Sequence, residues 1–175
     1  MVLSEIDQPT ILSCMFSQDL EGRSLRHEAF DRLFREYFGN QVSIAHATEE
    51  NFYQQVADAD VIYLHGGRTD KLLQAIPDIG KFKHAIKGKI VIGSSAGANF
   101  LSSVCFSPSR GEVMRGSGLV PFGVVVHYGI DSFENSTYTY EFWRSAANSV
   151  RDALKGGLPI LLPEGQFVVI DNENH

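Results

Sequence analysis

Residues 93–97 read Gly-Ser-Ser-Ala-Gly, a G-x-S-x-G pattern that can present a reactive serine hydroxyl at a sharp turn. An apolar, β-branched run leads into the pattern, and small helix-forming residues follow it. A strand, a tight turn and a helix in this order make a nucleophile elbow, where glycines avoid clashes around a strained serine. The pattern favours Ser95 as a nucleophile over a plain Gly/Ser loop, although a bare G-x-S-x-G also arises by chance.

A serine hydroxyl is a weak nucleophile at neutral pH, so it needs a base and an acid that orients the base. His127 ends an apolar run of valines and is the best candidate for the base. Glu164 lies in a Pro-Glu-Gly sequence after another apolar run and is the best candidate for the acid. The alternative for His127 is a histidine at the edge of the sheet that bonds to a loop. The alternative for Glu164 is a plain turn. We predict Ser95, His127 and Glu164 as the catalytic residues.

His65 is the competing histidine, but it directly precedes two glycines. Adjacent glycines at the end of a strand leave bare backbone N–H groups, which suit the binding of an oxyanion. We therefore expect His65 to shape this loop. The predicted oxyanion hole consists of the N–H of Gly67 and that of Ala96, the residue after the nucleophile.

The elements that must position these residues follow from hydrophobic periodicity. Apolar runs predict strands at 10–16, 41–46, 60–64, 89–93, 124–126, 158–162 and 166–170. Helical spacing predicts helices at 24–38, 48–58, 69–76, 78–86, 96–105 and 140–154, with Ser24 and Thr69 as helix caps. In the first helix, the phenylalanines Phe30, Phe34 and Phe38 recur at helical spacing and are expected to pack on a sheet, with a ligand pocket as the alternative. Residues 106–118 show no clear period and are expected to form a surface excursion over the site, and 131–139 a polar loop.

This alternation predicts an α/β fold of three layers, a mostly parallel sheet with helices on both faces, in a single domain over residues 1–175. Ligands bind such sheets at the carboxyl ends of the strands. The double glycine, Ser95, His127 and Glu164 all follow predicted strands, so the fold brings them to one edge.

Bulk composition excludes several classes of protein. The formal net charge of the 175 residues is −6 without a basic cluster, which disfavours a nucleic-acid partner. No apolar run is long enough to span a bilayer, and the first ten residues lack a signal-peptide segment, so we expect a cytoplasmic protein. Cys14 and Cys105 are expected as free buried thiols in a reducing cytosol, with a single disulfide as the alternative. The histidines show no metal-ligand spacing, so no metal or cofactor is predicted.

Four motifs between Asp60 and Gly165 resemble those of the peptidase E family of serine peptidases, which includes aspartyl dipeptidases and, more distantly, cyanophycinases. They are I-Y-L-H-G-G-R-T, G-S-S-A-G-A-N, L-V-P-F-G-V-V-V-H and L-L-P-E-G. The resemblance implies a fold like that of class I glutamine amidotransferases, with serine in place of cysteine. The resemblance also implies Ser95, His127 and Glu164 as the catalytic residues and the N–H groups of Gly67 and Ala96 as the oxyanion hole. The order Ser–His–acid also differs from the Ser–acid–His order of α/β-hydrolases.

The chain departs from the family at the positions that would choose the substrate. Arg68 stands where members usually carry asparagine, and the arginine-bearing stretch that recognises aspartate has no clean match. Arg68 and Arg144 are candidates for binding a carboxylate, with surface arginines as the alternative. Aspartate specificity is therefore not carried over.

The resulting hypothesis is a serine peptidase or amidohydrolase, a dipeptidase or exopeptidase that cleaves a small peptide or amide through an acyl-enzyme, as a monomer or homodimer. A serine esterase would share the mechanism. The alternative outside the enzymes is a catalytically silent domain with a binding or regulatory role. A separation of more than about 5 Å between Ser95 and His127 would favour it.

Overall fold

The computed structural model describes residues 6–39, 41–133 and 136–171. Helices and strands alternate along most of this chain. The first half contains β1 (Thr10–Cys14), α1 (Leu20–Phe38), β2 (Ser43–His46), α2 (Phe52–Asp58), β3 (Val61–Leu64), α3 (Thr69–Ala75), α4 (Ile79–Ala85) and β4 (Ile90–Gly93). The second half contains α5 (Ala96–Leu101), β5 (Val104–Ser107), β6 (Glu112–Arg115), β7 (Gly123–Val126), β8 (Ser132–Phe133), β9 (Ser136–Thr137), α6 (Tyr140–Ala153) and β10 (Ile160–Leu162).

The strands pair mostly in parallel, which confirms the predicted α/β class. One sheet has the order β2-β1-β3-β4 and is parallel throughout. A second sheet has the order β10-β7-β5-β6, in which only β5 and β6 pair antiparallel. The backbone hydrogen bonds thus divide the main strands into two four-stranded sheets, where the sequence analysis predicted one. A separate two-stranded sheet, β8-β9, lies in the segment predicted as a polar loop.

Helices cover both faces of the first sheet because neighbouring strand residues point to opposite sides. Ile11 packs with Phe30 of α1 on one face. Leu12 packs on the other face, in a cluster that includes Leu72 of α3 and Phe100 of α5. The second sheet is covered by α6, whose buried residues Trp143, Ala146 and Val150 belong to one cluster with Val125 of β7. Within the described residues, no helix is long and apolar enough to cross a membrane.

The first helix is longer than predicted and buries only part of its apolar residues. It begins at Leu20 instead of Ser24, and its N-cap is Asp19. Of its apolar side chains, only Phe30 is buried, whereas Leu25 is 73% and Leu33 is 48% exposed. The predicted packing of the phenylalanines on the sheet is confirmed for Phe30 and Phe34, which lie in one cluster with Ile11, whereas Phe38 is 40% exposed.

The elbow helix is shorter than predicted and is followed by a hairpin. It ends at Leu101, where the Ser102 hydroxyl donates to the carbonyl oxygens of Asn99 and Val104 at 2.8 and 3.1 Å. Cys105, predicted in this helix, lies in β5. Residues 104–115 form the antiparallel pair β5-β6, so the segment without a clear period contains two strands. Two short strands in a hairpin give little alternation, which is why the pattern did not reveal them.

Three further predictions were wrong in detail. Residues 166–170 form no strand in the described structure, and Phe167 and Val169 are 84% and 79% exposed. The second helix begins at Phe52 instead of Thr48. Thr69 is the first residue of α3, not its cap, because the chain is still extended at Arg68.

Candidate active site

The turn between β4 and α5 holds Ser95 in a backbone conformation that side chains rarely adopt. Its φ and ψ are 49° and −106°. Such strain persists only where the surroundings enforce it, and it is typical of functional turns. The flanking glycines enforce it by close packing: a Cβ on Gly93 would lie 2.6 Å from the Gly97 carbonyl carbon. The strand, the turn and the helix predicted from the sequence are all present.

His127 lies next to Ser95 because β7 ends where the elbow turns. Its Nε2 is 2.8 Å from the Ser95 Oγ, well inside the 5 Å beyond which a silent scaffold would have been favoured. The backbone at His127 has a φ of 59°, a second unusual conformation at the same edge. The Tyr128 N–H donates to the Leu162 carbonyl at 3.1 Å, which ties this end of β7 to the end of β10.

Glu164 follows β10 and completes a series of hydrogen bonds. One of its carboxylate oxygens, Oε1, accepts from Nδ1 of His127. A proton held on Nδ1 leaves Nε2 as the acceptor, which is the tautomer that can take a proton from a serine. The Glu164 side chain is 61% exposed, whereas that of His127 is 14% exposed. The three residues predicted from the sequence are thus connected in the order Ser95, His127, Glu164.

The loop after β3 passes beside the serine. A Cβ on Gly66 would lie 3.3 Å from the Ser95 Cβ, and Gly67 has a φ of 133°. Within the described residues, the N–H groups of Gly67 and Ala96 donate to no acceptor of the protein. Gly67 lines the cavity beside the serine, so its N–H is open to a ligand, because an unsatisfied donor is costly. Ala96 is 1% exposed and is not among the described residues that line this cavity.

A cavity of about 590 Å³ opens between this loop, the elbow and the β5-β6 hairpin. Its volume lies in the range of small-molecule sites. Ser95 and His127 lie on its wall, together with the hairpin turn from Ser107 to Arg110. The excursion expected over the site is therefore the turn of a hairpin that forms one side of the cavity.

Charged side chains give the cavity wall an excess of positive charge. Its charged residues are Arg26, Arg68, Arg110 and Asp70. Arg68 donates to both Asp70 oxygens at 3.1 and 2.5 Å, and Arg110 donates to one of them at 2.8 Å. These contacts, that of Arg68 foremost, lower the pKa of Asp70 to about 2, so Asp70 is ionised. Arg26 instead donates to the Gln18 side-chain oxygen.

Of the two arginines singled out in the sequence, only Arg68 lies on this wall. Arg144 lies on α6, 5.9 Å from the centre of the Tyr140 ring, and is not among the described residues that line the cavity. Sequence reasoning missed Arg26 and Arg110. No local signal marks either one, because Arg26 lies in a long helix and Arg110 in a segment without a clear period.

His65 and the two cysteines take no part in the contacts of Ser95. The His65 Nε2 lies 2.9 Å from the Ser13 hydroxyl, and burial lowers the pKa of His65 to about 4. Cys14 and Cys105 are free and buried, as predicted, and burial raises their pKa values to about 12 and about 11. In the part of the chain that the structure describes, no group of three His, Cys, Asp or Glu residues could hold a metal ion.

The chain is similar to known proteins in sequence and in fold. The sequence profile of Peptidase family S51 matches residues 26–175. The fold is similar to that of a peptidase E candidate from Listeria monocytogenes EGD-e, with a TM-score of 0.59 and 20% identity over 81% of this chain and 75% of the other. It is also similar to a peptidase from an acI-B1 Actinobacterium, with a TM-score of 0.56 and 21% identity over 91% and 68%. No curated protein shows significant sequence similarity to the chain.

Proposed function

Since the chain belongs to peptidase family S51, whose members are serine-type peptidases, we propose that it hydrolyses small peptides through an acyl-enzyme on Ser95. One observation carries the proposal: the Ser95 Oγ lies 2.8 Å from the His127 Nε2, whose other ring nitrogen bonds to Glu164. This is the contact that a serine nucleophile needs with its base.

Acylation follows from the positions of these atoms. The His127 Nε2 takes the hydroxyl proton while the Ser95 Oγ attacks the carbonyl carbon of the substrate. The C=O bond becomes a C–O⁻ bond, and this oxyanion accepts hydrogen bonds from the N–H groups of Gly67 and Ala96. His127 then gives its proton to the leaving amine nitrogen as the C–N bond breaks.

Deacylation repeats the sequence with water. His127 takes a proton from the water molecule, whose oxygen attacks the acyl carbon of the ester on Ser95. The second tetrahedral oxyanion collapses, the bond between the Ser95 Oγ and the acyl carbon breaks, and His127 returns the proton to Oγ. Throughout, Glu164 keeps the Nδ1 proton in place and stabilises the imidazolium.

The shape and charge of the cavity support a small substrate. A volume of about 590 Å³ accommodates a few residues, as in a dipeptidase or exopeptidase. Three arginines against one carboxylate favour a substrate with an acidic group over one with a basic group. We propose Arg26 and Arg110 for this contact ahead of Arg68. Arg68 is bidentate on Asp70, whereas Arg26 contacts the neutral Gln18 side chain. Arg110 reaches Asp70 through Nη2 alone, with its Nη1 3.5 Å from Glu112.

Hydrolysis of dipeptides and aminoacyl-p-nitroanilides tests the proposal. We expect the wild type to cleave members of the panel and Ser95→Ala to lower kcat at least about 10³-fold, because removal of a nucleophile leaves only residual catalysis. Ser94→Ala is the matched control and is expected to stay within about tenfold, a small effect beside that loss. A Ser95→Ala variant with the wild-type rate would overturn the proposal.

A further inference from the structure

The loop that carries the double glycine is held from one side by the two residues Ser17 and Gln18. Ser17 is 2% exposed, and its Oγ lies 2.7 Å from the Gly66 carbonyl oxygen and 3.1 Å from that of His65. The carbonyl of Ser17 accepts from the Arg68 N–H at 2.9 Å. Gln18 Nε2 donates to the same Gly66 oxygen. Neither side chain takes part in the proposed proton transfers, although Gln18 lines the cavity and its Oε1 accepts from Arg26.

These contacts fix the direction of the peptide between Gly66 and Gly67. All described peptide bonds are trans, and in a trans peptide the C=O and N–H groups point in opposite directions. Because the Gly66 carbonyl faces Ser17 and Gln18, the Gly67 N–H faces away from them. Both glycines line the cavity, as Gln18 does, and Gly66 lies against Ser95, so an N–H that points away from Ser17 is directed to the Ser95 side of the cavity.

A peptide between two glycines needs such support. Without Cβ atoms on either side, its plane can rotate at little steric cost. A rotated plane would turn the Gly66 carbonyl to the cavity and would replace a hydrogen-bond donor by an acceptor. An acceptor at that place would repel the oxyanion that forms on the substrate.

We infer that Ser17 is a positioning residue that, with Gln18, holds the Gly66–Gly67 peptide so that the Gly67 N–H serves the oxyanion. The inference rests on the proposed function, because it requires an oxyanion at this place. Ser17 acts through the loop and is not among the described residues that line the cavity. The buried hydroxyl that donates to a loop carbonyl explains why a serine lies there, whereas any residue at this position could accept from the Arg68 N–H through its backbone carbonyl.

Steady-state kinetics of Ser17→Ala, Gln18→Ala and the double variant test the inference. We expect Ser17→Ala to lower kcat about tenfold with KM within twofold, because an oxyanion contact is made in the transition state. The double variant should lose more than the product of the single losses, because either donor alone still holds the carbonyl. Its loss should approach the 10² to 10³-fold typical of one oxyanion donor, in order of magnitude.

Two further variants separate hydrogen bonding from packing. Ser17→Cys keeps the size but has only a weak donor, so we expect its kcat to stay near that of Ser17→Ala. Ser102→Ala is the matched control: Ser102 is 1% exposed, and its hydroxyl also reaches two backbone carbonyls, at 2.8 and 3.1 Å. Its kcat should remain within about twofold of the wild type, because neither carbonyl belongs to the oxyanion loop.

Three results would overturn the inference while leaving the proposed function intact: a wild-type kcat in Ser17→Ala, full activity in Ser17→Cys, or an equal loss in Ser102→Ala. Failure of the proposed function looks different. In that case Ser95→Ala would hydrolyse the panel as fast as the wild type, and the inference would fall with it.

Discussion

Gly97 of α5 lies directly against the Leu64 carbonyl at the end of β3, where a Cβ on residue 97 would come within 2.2 Å of the Leu64 oxygen. The contact brings the elbow of Ser95 beside the loop that begins at His65. The last glycine of the G-x-S-x-G pattern is thus needed for the close contact between α5 and the end of β3, as well as for the turn itself.

From this contact we expect Gly97→Ala to destabilise the protein severely. The methyl group would overlap a backbone oxygen that cannot rotate away, so the free energy of unfolding should fall by about 3 kcal/mol or more. The matched control is Gly80→Ala in α4, where a Cβ would meet only the Asp78 side chain, at 3.5 Å. Urea unfolding measures both. Equal stability of the two variants would contradict the close approach.

Glu164→Gln tests the orientation of the base. The amide lacks the negative charge that stabilises the imidazolium, and its NH2 group can donate to Nδ1 of His127 and favour the tautomer that cannot take the Ser95 proton, so kcat should fall. Because Glu164 is 61% exposed, water can replace part of the contact, and we expect about a 10²-fold loss, less than for a buried acid. Glu141→Gln, an exposed change on α6, is the control. A kcat for Glu164→Gln equal to that of the control would exclude the role of Glu164.

The neutral state of His65 makes stability depend on pH. Burial, and then the charges of His27 and His46, lower its pKa from 6.5 to about 4, so the unfolded chain binds a proton that the folded chain does not. The contribution of neutral His65 to the free energy of unfolding is therefore complete above pH 6.5, and it decreases as the pH falls towards 4. The gap between the two values corresponds to about 3 kcal/mol.

His65→Asn removes this titration. Between pH 7 and pH 4, the free energy of unfolding of the wild type should fall by up to about 3 kcal/mol more than that of the variant, in urea titrations at each pH. Parallel losses in both proteins would show that His65 titrates normally in the folded state.

The positive wall of the cavity predicts a preference for acidic substrates. Arg110→Gln should lower the kcat/KM ratio of a glutamate substrate to its glutamine counterpart by about tenfold at low ionic strength, since the contact is charge-assisted. Arg115→Gln, an exposed change in the same hairpin, is the control and should leave the ratio unchanged. A ratio that responds equally to both variants would assign the effect to net charge.

The sequence predicted the α/β class and the meeting of the candidate residues at one edge, but not the hairpin beside them. Ser95, His127, Glu164 and the double glycine each follow an apolar run, and strand ends of parallel sheets meet at one edge, so residue types and order sufficed to group them. The hairpin of β5 and β6 could not be predicted, because its short strands lack alternation. Arg110 could not be placed for the same reason: its approach to Asp70 depends on that hairpin.

Wrong predictions at the other elements have a similar cause. The apolar periodicity of a segment does not indicate whether another element packs against each of its apolar residues. Leu25 in α1 and Phe167 near the end of the described chain are largely exposed despite strong apolar patterns. Tertiary contacts, which no local window contains, decide such cases.

The most direct test of the nucleophile is covalent labelling with a fluorophosphonate, read by mass spectrometry of the tryptic peptide that spans residues 90–110. We expect the wild type to carry one adduct on Ser95, Ser95→Ala to carry none, and His127→Asn to label at least about 10²-fold more slowly, because the hydroxyl then lacks its base. An unlabelled wild type, an adduct on another serine, or His127→Asn labelling at the wild-type rate would contradict a nucleophilic Ser95 activated by His127.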